Sequence, residues 1–266
     1  VLAIDARQRR AGLPVEVLSP EEARRPEPTL SPECRGALFL PHDHRVHTRH
    51  LFRALLRAVR QAGVVIESHT RLISLLLTKN KITGVRTVHQ VLPCDCVVIA
   101  TGAWSGTLTT HPSFSPPLPV RPVKGEIVEL LAPPGKNLTH PLITSRCYVV
   151  PRNDNSLLIG ATEVEARFDT TVTAGAVTRL VSAAAEATPE VSSFPFRAAW
   201  AGLRPAAPDR LPLIGSYGSE DLFVATGHYQ KGILLAPVTG ELIAELITTR
   251  RTQMPLAPFS PTRFAM

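Results

Sequence analysis

The run Val97-Val98-Ile99-Ala100 is apolar at every position and is closed at once by Thr101-Gly102. An amphipathic helix or a half-exposed strand would interrupt such a run with polar residues at a period of 3.6 or 2. An unbroken apolar run this short, ended by a turn pair, reads as a strand covered on both faces, the usual condition in a parallel sheet. Near the C-terminus Phe223-Val224-Ala225-Thr226-Gly227 leads through a tight turn into a long apolar stretch, 233–247. A strand that turns sharply into a helix aims backbone N–H groups, and the positive end of the helix, at the crevice beyond the strand. Gly227 and Gly232 let the backbone approach a flat ligand closely. These passages place the chain in the α/β class.

The remaining elements can be read around them. Ser19-Pro20-Glu21-Glu22 opens a helix, with serine as N-cap, proline in the first turn and acids behind it. Over 47–63, Leu51, Phe52, Leu55, Val59 and Ala62 recur at helical spacing, and Gly63 supplies the stop. Short strands are expected at 64–67, 71–77, 82–89 and 94–100. Proline dominates 112–122, a crossover between domains. Beyond it, strands at 125–131, 147–150 and 157–160 and a helix at 174–187 suggest an antiparallel sheet with helical cover.

With 266 residues and 44% hydrophobic content, the chain can bury one large core or two coupled ones. No unbroken apolar run approaches the roughly 20 residues of a bilayer span. The first ten residues lack a secretory h-region, so the expectation is a cytoplasmic protein with no membrane partner. The formal charge of +7 favours an anionic ligand. The arginines are dispersed and aromatics are only 5%, which argues against nucleic acid, since that would want clustered basic residues among stacking aromatics. A phosphate-bearing cofactor or a carboxylate substrate needs less charge. The four cysteines are too scattered for a disulfide framework, and at strand period Cys94 and Cys96 share one face as small core residues. His42, His44, His47 and His50 have no acid or cysteine at a familiar ligand spacing, and no metal is expected.

Several motifs then occur in order: Ala100-Thr101-Gly102-Ala103-Trp104-Ser105, Pro122-Val123-Lys124-Gly125-Glu126, Cys147-Tyr148-Val149-Val150-Pro151 and Leu158-Ile159-Gly160-Ala161-Thr162. They are followed by Trp200-Ala201-Gly202-Leu203-Arg204-Pro205, the stretch Asp209 to Gly215, the turn already described, and Pro258-Phe259-Ser260-Pro261-Thr262-Arg263-Phe264. Together they cover nearly the whole chain, which in this respect resembles the glycine oxidases of thiamine biosynthesis, within the D-amino-acid oxidase-like FAD-dependent oxidoreductases.

The resemblance implies a partial FAD/NAD(P)-binding Rossmann-like domain, lacking its first βαβ unit, plus an α+β substrate domain with an antiparallel sheet. The substrate domain would comprise 1–40 and 119–199, and the FAD-binding domain 41–118 and 200–266. It implies that Arg204 holds the substrate carboxylate through paired charge-assisted bonds, and that the Tyr148 hydroxyl faces the substrate. Leu72 would make a backbone contact to the adenine end of FAD, and Gly102, Ala103 and Trp104 would lie where the chain passes the cofactor. The turn formed by Gly227, His228, Tyr229, Gln230, Lys231, Gly232, Ile233 and Leu234 would hold the flavin ring. Two positions depart from the pattern: Gln230 stands where family members carry a second active-site arginine, and Glu163 where a relative has an apolar pocket residue. The implied reaction is hydride transfer from the α-carbon of an amine to FAD, giving an oxo-acid, ammonia and, with dioxygen, hydrogen peroxide. No protein base is assigned, since positioning supplies much of the rate. A homo-oligomer is compatible with this reading.

No G-x-G-x-x-G occurs in the 266 residues, although the family carries that pyrophosphate-binding fingerprint in an N-terminal βαβ unit. The sequence is therefore expected to be a truncated one that, as given, binds FAD poorly. Three readings stay open: a glycine oxidase-like enzyme, a sarcosine or other secondary-amine oxidase, and a non-catalytic fragment.

Overall fold

The computed structural model describes residues 6, 8–79, 81–109 and 117–264. In chain order the elements are β1 (Glu16–Leu18), α1 (Pro20–Arg24), β2 (Ala37–Phe39), α2 (Thr48–Gln61), β3 (Leu72–Thr78), β4 (Lys81–Thr87), β5 (Val91–Pro93) and β6 (Val97–Ile99). There follow α3 (Ser105–Leu108), β7 (Arg121–Leu131), β8 (Leu142–Ile143), β9 (Tyr148–Pro151), β10 (Ser156–Gly160) and α4 (Ala174–Ala187). The chain ends with β11 (Phe196–Ala206), β12 (Leu213–Tyr217), β13 (Ser219–Thr226) and α5 (Gly232–Thr249). The fold is mixed α/β, and the chain divides into two compact units. One comprises Val1–Arg53, Gly125–Glu163 and Thr170–Gly202; the other comprises Ala54–Lys124, Val164–Asp169 and Leu203–Met266.

The first unit is built on a five-stranded sheet of order β11-β7-β10-β9-β8, in which β7, β8, β9 and β10 pair antiparallel in sequence. Val128, Leu130, Val149, Leu157 and Ile159 point to one face and bury against Leu180, Ala183 and Ala184 of α4. Covering side chains of this size stabilises by about 1.5–3 kcal/mol each. Thr173 starts α4, its side chain accepting from the Ala176 N–H. Glu126, buried in β7, accepts from Thr162 Oγ1 at 2.8 Å and from the Thr173 N–H at 3.0 Å, so one carboxylate ties the exit of β10 to the N-cap of α4. α1 opens on the expected serine N-cap, and the contact is reciprocal: Ser19 Oγ accepts from the Glu22 N–H and the Glu22 carboxylate accepts from the Ser19 N–H, a capping box.

In the second unit β6 and β13 run parallel, β12 adds antiparallel to β13, and β3-β4-β5 forms a separate antiparallel meander. Leu75 and Ile82 of the meander share a core with Ile99, Leu213, Leu222 and Val224, while Phe223 and Ile214 turn the other way and meet Ile243 of α5. β13 is thus the strand buried on both faces. β6, expected in that role, pairs on one side only among the described residues, and its Val98 is 37% exposed. The expected strand at 64–67 does not form: no described strand lies beside it, and Val65 is 82% exposed. A strand without a neighbour has no ladder to satisfy its backbone. β6 also starts later than expected, so Cys94 packs with the Leu75–Ile99 core and Cys96 with the Phe223–Ile243 core, on different sides rather than one. α5 revises another expectation. Its 18 residues, with mean hydropathy 1.4, make it long and apolar enough to cross a membrane by length and composition. Counting unbroken apolar runs missed it because Glu241 and Glu245 divide the stretch. Its Leu242 and Ile243 are buried.

Candidate functional site

The second unit brings two glycine turns together. β6 ends in Ala100-Thr101-Gly102 and β13, its parallel neighbour, in Ala225-Thr226-Gly227, so both turns open at the carboxyl end of the sheet, where open α/β folds bind ligands. Gly102 and Gly227 have φ of 54° and 74°, in the left-handed region that a side chain disfavours. A hydroxyl chain joins the turns. Ser105 Oγ, fully buried, donates to Thr226 Oγ1 at 2.9 Å, and Thr226 Oγ1 donates to the Gly102 carbonyl at 3.1 Å. Thr101 Oγ1 lies 3.0 Å from Ser105 Oγ. Beyond Gly102, Ala103 is buried and Trp104 exposed, its ring stacked 5.8 Å from Phe168.

After Gly227 the chain makes a tight turn in which the Lys231 N–H donates to the His228 carbonyl at 2.9 Å, with Tyr229 at φ 50°. His228 Nε2 lies 3.0 Å from Thr239 Oγ1, and burial holds the ring's pKa below the ordinary 6.5, so it is neutral near pH 7. The turn delivers the chain to α5, whose N-cap, Lys231, makes no side-chain capping bond. The first turn of this 18-residue helix therefore has no side-chain cap at its N-cap residue, and its Ile233 and Leu234 are exposed. Uncapped donors and the helix dipole suit a flat, electron-rich group that gains negative charge. These residues fit the flavin end of FAD.

Arg204, near the end of β11, is held beside this turn through its chain neighbours. Ala206 forms an isolated antiparallel bridge with His228, and the Tyr229 N–H donates to the Pro205 carbonyl at 2.9 Å. The Arg204 guanidinium itself donates from Nη1 to the Lys124 carbonyl at 3.4 Å. Gln230 and Lys231 are exposed on the turn. Leu72 opens β3 and packs against the meander core, on a different sheet from the glycine turns.

Tyr148 and Glu163 belong to the first unit. Tyr148 starts β9 directly opposite Gly160 on β10, and its ring lies over that glycine: a methyl group added at Gly160 would stand 2.7 Å from Tyr148 Cε2. Gly160 is therefore what lets the ring lie where it does. Glu163 is exposed, three residues beyond β10. His47 and His50 stack at 3.7 Å, and among the described residues no three of His, Cys, Asp and Glu converge as a metal site. A surface concavity of about 510 Å³ lies beside the β12–β13 turn, lined by Tyr217, Ser219, Leu246 and Arg250. Leu246 and Arg250 mark the C-terminal end of α5, about 25 Å along the helix from the 227–234 turn, so this hollow is separate from the chemistry.

Sequence reasoning did not find Gly160, the Ser105–Thr226 hydroxyl pair or the tie between 205–206 and 228–229. The repeated Ala-Thr-Gly was the signal available for the second of these.

The chain is similar to known proteins over nearly its whole length. A model of the "FAD dependent oxidoreductase" (DAO) family matches residues 2–246. Glycine oxidase of Geobacillus kaustophilus is 39% identical over 259 residues, spanning 96% of this chain and 67% of that protein. The bifunctional protein ThiO/ThiG of Trichormus variabilis is 34% identical over 241 residues, 90% of this chain and 36% of its own length. The chain therefore spans about two thirds or less of these relatives. The crystal structure of the Geobacillus kaustophilus glycine oxidase superposes with a TM-score of 0.90 at 38% identity, covering 96% of this chain and 69% of that one. The chain belongs to the DAO family of FAD-dependent oxidoreductases.

Proposed function

We propose that this chain carries the amine-oxidising chemistry of a glycine oxidase, converting glycine or a similar small amino acid to an oxo-acid, ammonia and hydrogen peroxide, in the cytoplasm and in the service of thiamine biosynthesis. The observation that carries the reading is the tie between the Arg204 strand end and the 228–229 turn. It holds the backbone next to Arg204 against the turn proposed to meet the flavin. The names of the similar proteins, glycine oxidase and ThiO/ThiG, support the substrate class and the biosynthetic setting.

FAD, when bound, would supply the hydride acceptor and the route for electrons to dioxygen. The residues of the chain do the rest. Arg204 pairs with the substrate carboxylate in a two-point clamp, setting the α-carbon's position and face. Within the first unit, Tyr148 lies over Gly160, and its hydroxyl is the substrate-facing group that the resemblance implies. Gly227 to Leu234 supply backbone donors to the flavin ring, with Gly102, Ala103 and Trp104 passing alongside and Leu72 meeting the adenine end. His228, kept neutral by burial, adds no positive charge to the turn near pH 7.

Arg204→Ala tests the reading directly. KM for glycine should rise by about one to two orders of magnitude, since a charge-assisted pair contributes about 1.5–3 kcal/mol; an unchanged KM removes the assignment. Two residues favour a second reading, a sarcosine or other secondary-amine oxidase. Gln230 offers the turn an uncharged amide, and Glu163 a carboxylate that would attract an ammonium group and repel a carboxylate. Peroxide release with glycine, sarcosine and D-alanine separates the two.

A further inference from the structure

The six residues Val164–Asp169 leave the first unit and are grouped with the second, where four contacts fasten them. Lys124 and Val164 form an isolated antiparallel bridge, Lys124 N–H donating to the Val164 carbonyl at 2.9 Å and Val164 N–H to the Lys124 carbonyl at 3.0 Å. Arg121 pairs with Glu165 just beyond the bridge. At the far end Lys124 Nζ, on a side chain only 5% exposed, reaches Asp169 Oδ2 at 3.3 Å. Between these, Phe168 stacks on Trp104.

The Lys124 carbonyl therefore has two donors, the Val164 N–H of this strap and Nη1 of Arg204. A carbonyl oxygen has two lone pairs. With one taken by the strap, the carbonyl plane is fixed and the other is directed at the guanidinium. Arginine loses side-chain entropy when its fork is held, and a carboxylate clamp gains most when that fork is held before the substrate arrives. The exposed Asp169 carboxylate closes the strap onto the same residue, so that Lys124 is gripped through its backbone and through its ammonium.

We propose that the strap 164–169 is a positioning element for Arg204, with the Lys124–Asp169 pair as its latch. The proposal rests on the reading of Arg204 as the carboxylate clamp. Asp169 acts through Lys124 and touches no substrate.

The test uses the full chain supplied with FAD, and glycolate as the probe, a carboxylate without the reacting amine. Its affinity is measured by calorimetry for wild type, Asp169→Asn, Asp169→Glu, Glu165→Gln and Arg204→Ala, alongside KM and kcat for glycine. Asp169→Asn should weaken glycolate three- to tenfold and raise KM in proportion, with kcat changed less than twofold and melting within about 2 °C of wild type. Asp169→Glu should recover most of the loss. Glu165→Gln, at the other end of the strap, should move affinity in the same direction and keeps the proposal falsifiable if Asp169→Asn does not fold. If Arg204→Ala abolishes glycolate binding while the strap variants bind as wild type does, the latch is wrong and the functional reading stands. If wild type binds no glycolate, or Arg204→Ala binds it unchanged, the functional reading fails and the latch with it.

Discussion

Replacing Thr226 by valine removes one hydroxyl and keeps the β-branched outline of the side chain. That hydroxyl is 1% exposed as part of its residue, accepts from Ser105 Oγ at 2.9 Å and donates to the Gly102 carbonyl at 3.1 Å. Two hydrogen bonds are lost, each with a net contribution of about 1 kcal/mol. The abandoned partners set the remaining cost. Ser105 is fully buried but can turn its hydroxyl to Thr101 Oγ1 at 3.0 Å, and Gly102 is partly exposed, so neither is left wholly unsatisfied. The expected loss is about 2 kcal/mol, which for a chain of this size lowers the melting temperature by about 4–8 °C. The assay is thermal unfolding of Thr226→Val, Ser105→Ala and the double variant. Because both residues belong to one chain of hydroxyls, the double variant should be less destabilised than the sum of the singles by about 1 kcal/mol. Additive losses, or a Thr226→Val melting point within 1 °C of wild type, would show that the two glycine turns are not coupled through these groups.

Other expectations follow from particular contacts. Gly160→Ala puts a methyl group into the Tyr148 ring, whose outer end can swing aside, so melting should move little while KM for glycine rises several-fold; a normal KM would detach Tyr148 from the substrate. The Asp154 carboxyl is held down to about 2, chiefly by the Ser156 hydroxyl and further by Arg197. Since its folded pKa lies below the ordinary 3.8, its contribution is complete above pH 3.8 and is lost as pH falls toward 2. Because the carboxylate is half exposed, that contribution is about 1 kcal/mol after allowing for solvent screening; an Asp154→Asn variant should lose this acid-side slope, as read from denaturant midpoints between pH 2 and 5. His228 has a folded pKa below 6.5, so the unfolded chain takes up its proton first and stability falls as pH drops below 6.5. His228→Asn should flatten that limb of the stability profile, and an unaltered profile would contradict the burial of the ring.

Much of the fold was legible where a single segment carries its own signal. α4 occupies 174–187 as read, because its cap and apolar period are local. α1 opens on its serine N-cap for the same reason. The strand expected at 64–67 has the right residues and no ladder, and strands are properties of pairs. β6 was given the two-sided burial that belongs to β13, since an apolar run does not say which of two parallel strands has neighbours on each side. At the site, the roles of Arg204 and Tyr148 came from resemblance. Their supports could not be read from the sequence at all. Gly160 lies under Tyr148 only because of strand register, and Asp169 reaches Lys124 across 45 residues of chain. Such contacts are set by topology, and no local period records them.

The central claim is that this chain's residues present a carboxylate-bearing amine to a flavin. Anaerobic mixing of the FAD-loaded protein with glycine, followed through the visible flavin band, measures that step without dependence on peroxide detection. The band should bleach with glycine, return on admitting air, and bleach only at far higher glycine in Arg204→Ala. A flavin that binds and stays oxidised with glycine, sarcosine and D-alanine alike would contradict the account.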